Sequence, residues 1–272
     1  MKRRPTRECV RIALRHWDQH RCWQAILEMQ MRGSEETLAL VRRLAGSANW
    51  RRRTLGMYVA SQLRQRRGNG EGRGIEFGVH ETQRLLVAGL KDNHDEVVRA
   101  AISGLGHRPL PDALERLVAL DARSNAPFQL NLASTLGYYD SPSASEVLLR
   151  LANDSDDLVR DWATFSLGTM HSADSQPIRD QLWKNLHDVH EDVRGEALIG
   201  LANRGDPRAV AHLIAHLSVD SPVYELEAAQ ALADPALWDT LSGLADALTP
   251  FDGDGHWEGR LAAAIAACGR AP

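Results

Sequence analysis

The sequence predicts an all-α protein, an open stack of antiparallel helix pairs. Apolar residues recur every four positions in segment after segment, which places them on one face of a helix. One such segment returns at a nearly fixed period. No stretch keeps the two-residue alternation of a half-buried strand, so no strand is expected.

The unit is clearest in Asp156–Gly168, where Val159, Ala163 and Leu167 lie four apart, Arg160 stands beside them and Gly168 marks the exit. Anchored on that leucine, copies fall at Leu105, Leu136, Leu167, Leu201 and Leu232, separated by 31, 31, 34 and 31 residues. Four positions earlier stand Ala101, Leu132, Ala163, Ala197 and Ala228, and eight earlier Val97, Phe128, Val159, Val193 and Tyr224. All are apolar or aromatic. The next residue is Gly106, Gly137, Gly168, Ala202 or Ala233, always small, as a close helix contact or a helix end requires. A helix with one apolar face cannot cover that face itself, so each copy must be covered by its neighbours.

In chain order, helices are expected at about 5–17, 20–32 and 35–45, the third capped by Ser34 with Glu35 and Glu36 in its first turn. Leu55, Val59 and Leu63 mark a divergent first copy; with Val59 in the leucine slot, Arg52 takes the arginine slot. The Gly-rich segment with Gly68, Gly70, Gly72 and Gly74 reads as an insertion between repeats. It has neither the preceding strand nor the closing Lys-Ser or Lys-Thr of a phosphate loop. Helix pairs follow at about 79–91 with 95–106, 111–122 with 126–138, 143–153 with 156–169, 175–186 with 190–202, and 206–217 with 222–233. Pro111, Pro142, Pro177, Pro207, Pro222 and Pro235 punctuate the helix starts. Two Ala-rich helices, Pro235 to about Ala247 and Glu258 to Cys268, flank a polar loop at Phe251–Gly255 and are expected to cap the stack. The organisation is therefore 1–67 basic helices, 68–78 insertion, 79–234 five repeats and 235–272 capping helices.

Over residues 79–234 the order of acidic loop, Val-Arg, alanine and Leu-Gly resembles the HEAT-like repeats of the phycobilisome-lyase type. It is carried by Asp156, Asp157, Val159, Arg160, Ala163, Leu167 and Gly168, and by Glu191, Asp192, Val193, Arg194, Ala197 and Leu201. The resemblance implies a right-handed superhelical solenoid of HEAT-like antiparallel helix pairs, an α-α superhelix. It also implies a ladder in which Arg160 and Arg194 pair with acids of adjacent loops such as Asp192 and Asp157. The arginine slot holds Gln129 and Glu225 in two copies and Val98 in another, with Arg99 one place late, so the ladder should be incomplete at both ends.

No apolar run reaches the ~18 residues of a membrane span, and the charged start MKRRPTRE lacks the apolar core of a secretory signal. Cys9, Cys22 and Cys268 are odd in number and scattered, which suits reduced thiols and a cytoplasmic protein. Net charge is −4, yet residues 1–67 hold 16 Lys and Arg against 5 acids while the remainder holds 16 against 31. This asymmetry points to an acidic partner at the basic end, nucleic acid included, with Trp50, Arg51, Arg52 and Arg53 as the contact.

The binding face follows from helical geometry. Six and two positions before the leucine, side chains point away from the core: Arg99 and Ser103, Leu130 and Ser134, Asp161 and Phe165, Gly195 and Ile199, Leu226 and Gln230. Trp162, Phe165, Leu130 and Ile199, rimmed by Asp161, Glu196 and Glu227, form an apolar strip expected to bind a protein partner.

No catalytic constellation, metal site or cofactor motif is expected, so the chain reads as a monomeric interaction scaffold. Deoxyhypusine hydroxylases are HEAT proteins that hold two irons with His-Glu pairs just after the arginine slot. Here those places carry Asp161–Trp162, Gly195–Glu196 and Leu226–Glu227. His80–Glu81 and His190–Glu191 sit at helix starts, and His212 with His216 lacks a third ligand. The nucleic-acid alternative resembles the HEAT-like alkylpurine DNA glycosylases through Asp161 and Trp162, but the acidic repeats oppose a DNA groove.

Overall fold

The structure is a computed structural model, and it describes residues 4–65, 74–121, 126–247 and 255–269. Of the expected insertion, Gly68, Gly70 and Gly72 lie outside these residues, as does the loop from Phe251 to Asp254. The described chain is all-helical apart from one short strand pair and an isolated antiparallel bridge between Arg32 and Gln65, and it divides into two compact units, Met1–Tyr139 and Asp140–Pro272.

The first unit begins with α1 (Thr6–Arg15) and α2 (His20–Gln30), followed by the pair α3 (Glu35–Ala45) and α4 (Trp50–Ser61). Ser34 caps α3 as expected, its hydroxyl accepting from Thr37 N, and Asn49 caps α4. The expectation of no strand fails here. Arg64–Gln65 (β1) and Ile75–Glu76 (β2) pair antiparallel across the ends of the Gly-rich insertion. Next come α5 (Val79–Gly89) with α6 (Asp95–His107), and α7 (Leu114–Leu120) with α8 (Ala126–Leu136). Pro111 opens a single 3₁₀ turn, Pro111–Ala113, ahead of α7, so the expected helix from 111 begins later.

The second unit repeats the plan: α9 (Pro142–Leu151) with α10 (Asp157–Phe165), α11 (Gln176–Asn185) with α12 (Glu191–Ala202), α13 (Pro207–His216) with α14 (Val223–Leu232), and α15 (Trp238–Ala247) with α16 (His256–Cys268). Within each unit the second helix of one pair packs on the second helix of the next. The leucine, alanine and valine slots are buried as the period predicts, among them Leu105, Leu136, Leu167 and Leu201. The exceptions are Leu232 and Tyr224 of the last copy, both half-buried; the Tyr224 ring lies over Gly195, where a Cβ would stand 2.4 Å from the ring carbons.

The small slot after the leucine has a steric cause. A Cβ on Gly200 would come within 2.6 Å of Gly168 Cα, so α12 meets the exit of α10 backbone to backbone. There α10 ends in a π turn, Ser166–Met170, earlier than the expected helix to 169.

Two kinds of stitch join successive repeats. The first is the ladder, with different acids from those expected. Arg160 Nη1 caps the carbonyls of Asp154 and Ser155, six and five residues back, which aims the rest of its fork at Asp188 in the next loop (Nε–Oδ2 2.8 Å, Nη2–Oδ1 3.0 Å). Asp188 is itself fixed by accepting from His190 N at 2.9 Å. Arg53 repeats this geometry: Nη1 caps Ser47 and Ala48, and the fork grips Asp92 at 2.7 and 2.9 Å. The divergent repeat therefore runs one residue later than expected, with Arg53 rather than Arg52 in the arginine slot. Arg194 caps Asp188 and Val189 in the same manner, but no carboxylate pairs with it among the described residues. Asp157 and Asp192 sit outward in the first turns of α10 and α12, where they flank His190 at 3.7 and 3.8 Å instead.

The second stitch comes from the residue three after the leucine. Arg108, almost fully buried, donates to the carbonyls of Ser61, Leu63 and Phe77 and to Thr82 Oγ1. Arg204 donates to the carbonyls of Leu167, Gly168, His171 and Ala173. Tyr139 does the same with one hydroxyl, donating to Leu105 O at 3.4 Å and accepting from Leu110 N at 3.2 Å. Carbonyls at a helix exit have no partner in their own helix, and a cation there also meets the negative end of the helix dipole.

The ladder predicts that Arg160→Ala destabilises by about 1–3 kcal/mol, as for a charged hydrogen bond lost at a site only 14% exposed, and that Asp188→Ala is non-additive with it. Arg194→Ala, which breaks no ion pair, should cost less than about 1 kcal/mol. Urea unfolding of wild type, the three single variants and the Arg160→Ala/Asp188→Ala double variant measures both; an Arg160→Ala variant as stable as wild type would remove the ladder.

Candidate functional site

The second unit sets α10, α12, α14 and α16 side by side, and one slot of the repeat, five before the leucine, projects Trp162, Glu196 and Glu227 from the first three. Trp162 is 40% exposed, and its indole meets the edge of Phe165 at a centroid distance of 5.8 Å and an interplanar angle of 89°. Phe165 is half-buried, as are Asp161, Glu196 and Ile199. Trp162 and Phe165 thus form a compact aromatic step on α10, with Asp161 beside it and Glu196 on the next helix.

The electrostatics of this face are unusual. Glu196 is pushed up to about 7, chiefly by burial and then by the carboxylates of Asp161, Glu227 and Asp192. Asp161 is raised for the same reasons, burial first and Asp192 next. Tyr224 is pushed up to about 12 by burial and by Asp192, which accepts its hydroxyl at 3.2 Å. Among the described residues neither Asp161 nor Glu196 has an ion pair. Glu227 does: Arg260 of α16 reaches it at 3.0 Å.

The residues predicted from sequence are not all brought together. Asp161, Trp162, Phe165, Glu196 and Ile199 belong to the adjacent helices α10 and α12 of the second unit, whereas Leu130 is a half-buried residue of α8 in the first unit. Leu226, expected to point away from the core, is fully buried. The basic group at the N-terminal end splits. Trp50 stacks on His94 at 4.0 Å and meets Trp17 edge-on at 5.7 Å, Arg51 lies over the Trp50 ring at 5.2 Å, and Arg52 is exposed. Arg53 points inward, held by Asp92, because it is a ladder arginine.

Three contributors to this field are not marked by the repeat pattern: Tyr224 stands in an apolar slot, Arg260 lies beyond the five repeats, and His190 stands at the start of α12 outside the repeated slots. The pairing of Glu227 with Arg260 joins two helices that are distant in the chain and so carries no local sequence signal. His212 and His216 stack at 4.4 Å beside a cavity of about 180 Å³ that is also lined by Glu191, Arg194 and Tyr224. Among the described residues no three His, Cys, Asp or Glu side chains converge as a metal site, and no helix is long and apolar enough to cross a membrane.

This architecture, paired helices with a guanidinium ladder and small residues at the helix exits, is that of a HEAT-like repeat protein. Residues 193–218, spanning α12 and α13, match the model of the PBS lyase HEAT-like repeat. The chain is 27% identical over 223 residues to protein YibA of Escherichia coli (strain K12), covering 78% of this chain and 75% of that protein. The X-ray structure of YibA from E. coli covers 100% of both chains with a TM-score of 0.69 at 22% identity. An engineered protein is similar with a TM-score of 0.55 and 16% identity, over 97% of this chain and 78% of that one. These likenesses define the fold.

A carboxylate whose folded pKa lies above its unfolded value of 4.5 binds a proton that the unfolded chain has already released, so it lowers stability as pH rises from about 4.5 to 7. Glu196→Gln should therefore stabilise the protein at pH 8, by on the order of 2 kcal/mol, and have little effect at pH 4.5. Thermal unfolding at both pH values measures this; equal melting temperatures of variant and wild type at pH 8 would show that Glu196 carries no such penalty.

Proposed function

We propose that this HEAT-like protein is a non-catalytic, cytoplasmic adaptor, monomeric by itself, that docks a protein partner on the face of α10 and α12 at Trp162, Phe165, Asp161, Glu196 and Ile199. The observation that carries this reading is the exposed Trp162 ring packed edge-on with the half-buried Phe165. In the Trp162 slot the other repeats have Ala100, Asn131, Glu196 and Glu227, and in the Phe165 slot Ser103, Ser134, Ile199 and Gln230. A fold that needed bulk at these slots would ask for it in every repeat, as it does at the leucine slot. Aromatic anchors of this size are typical of interface hot spots, whose truncation costs about 2 kcal/mol or more of binding.

The alternative, nucleic-acid binding at Trp50, Arg51 and Arg52, is supported by the charge of the first unit and by the exposure of both arginines. Retarded migration of DNA or RNA at low salt, lost in Arg51→Ala with Arg52→Ala, would establish it; no retardation would dismiss it.

For the docking face, Trp162→Ala with Phe165→Ala is expected to leave helical content and melting temperature nearly unchanged and to abolish capture of the partner. A large drop in melting temperature with capture retained would show that both rings are core.

A further inference from the structure

The aromatic step lies in the more acidic unit. Residues 140–272 hold 9 Lys and Arg against 22 Asp and Glu, a formal −13. Phosphate-bearing partners are repelled by such a field, and cationic ones are drawn to it. The row of slots that begins at Trp162 also displays the cation it accepts. Trp162, Glu196 and Glu227 are equivalent positions on successive helices, and the last of the three is answered within the chain by the Arg260 guanidinium at 3.0 Å. One repeat earlier, Glu196 and the neighbouring Asp161 have no such guanidinium among the described residues. The face is thus an exposed indole next to two half-buried carboxylates with which no Lys or Arg among the described residues forms an ion pair.

Resting on the docking face proposed above, we propose that its partner is a basic, arginine-bearing segment, with one guanidinium laid against Trp162 and directed at Asp161 and Glu196. A guanidinium suits both halves of this surface. Its plane stacks on an indole, and its fork of N–H donors matches carboxylate oxygens, whereas an ammonium is a strongly hydrated point charge that does neither as well.

The groups around Glu196, Asp161 and Glu227 set the pH behaviour. Asp157 and Asp161 lie on α10, His190 and Asp192 at the start of α12, Tyr224 and Glu227 on α14, and Arg260 on α16. Glu196 takes up a proton below about 7, which removes the charge the guanidinium needs. Binding should therefore strengthen as pH rises.

The probe is a short labelled peptide alternating arginine with glycine, with lysine and glutamate counterparts, titrated by fluorescence anisotropy against the full chain at low salt. The arginine peptide is expected to bind more tightly than the lysine peptide and the glutamate peptide not at all. Its affinity should rise by about tenfold between pH 5.5 and 8. Glu196→Gln should weaken it by about tenfold at pH 8 and flatten most of the pH dependence. The control Glu146→Gln with Asp246→Asn removes two exposed charges elsewhere in the unit and should change affinity by less than about twofold. Equal losses in the control and in Glu196→Gln would overturn the proposal in favour of diffuse attraction. Absence of binding to a folded wild type would also overturn it, while leaving the docking face to be judged by partner capture alone. Loss of the arginine peptide in Trp162→Ala with Phe165→Ala at an unchanged melting temperature supports both readings; a collapsed melting temperature in that variant overturns both.

Discussion

The structure depends on how the unpaired carbonyls at the end of one repeat are satisfied by the next. A helix stack has many ends, and each end leaves carbonyl oxygens that cannot be buried without donors. Here the donors are guanidinium groups placed at fixed offsets from the leucine. Seven residues before it, Arg160 and Arg194 fold back onto the carbonyls of their own loops, as does Arg53, seven before Ala60 in the divergent repeat. Three residues after it, Arg108 and Arg204 reach back to the exit of the previous second helix. Guanidinium suits this work because it offers five donors in one plane and stays charged when buried.

The close contact of the helix exits makes this possible. Gly168 and Gly200 let two backbones approach to within a side chain's width, which brings the carbonyls of Leu167 and Gly168 within reach of Arg204. Repeat identity is therefore written in small residues and arginines as much as in leucines.

This explains which parts were legible in sequence. The leucine, alanine and valine slots are fixed by burial, and burial leaves a periodic trace, so the helix pairs and the small slot could be read directly. The ladder could be read only in kind. Its acid lies five before the valine in a loop without periodic signal, and Asp188 and Asp92 do not stand out from the acids at the following helix starts. The one-residue error in the divergent repeat has the same origin: Val59 and Ala60 are both fully buried, so apolarity alone does not choose between them, whereas the Arg53–Asp92 pair does. Arg108 and Arg204 occur at a constant offset, but Tyr139 and Met170 occupy it in other repeats, which hides the pattern.

The face of α10 and α12 obeys a different logic from the stitches. Trp162 and Phe165 were recognisable because they break the rule of their slots. The cost of their surroundings was not, since the charge on Glu196 is opposed by burial and by Asp161, Glu227 and Asp192, which approach from three helices. A sequence shows that these residues are acidic but not that they share one field. The two sets of positions do not overlap: the arginine, leucine and exit slots hold the repeats together, while the slots of Trp162 and Glu196 make none of those bonds. That separation leaves the face free to carry an exposed indole and an unneutralised carboxylate, features that weaken the isolated fold and that stacking of the repeats does not require.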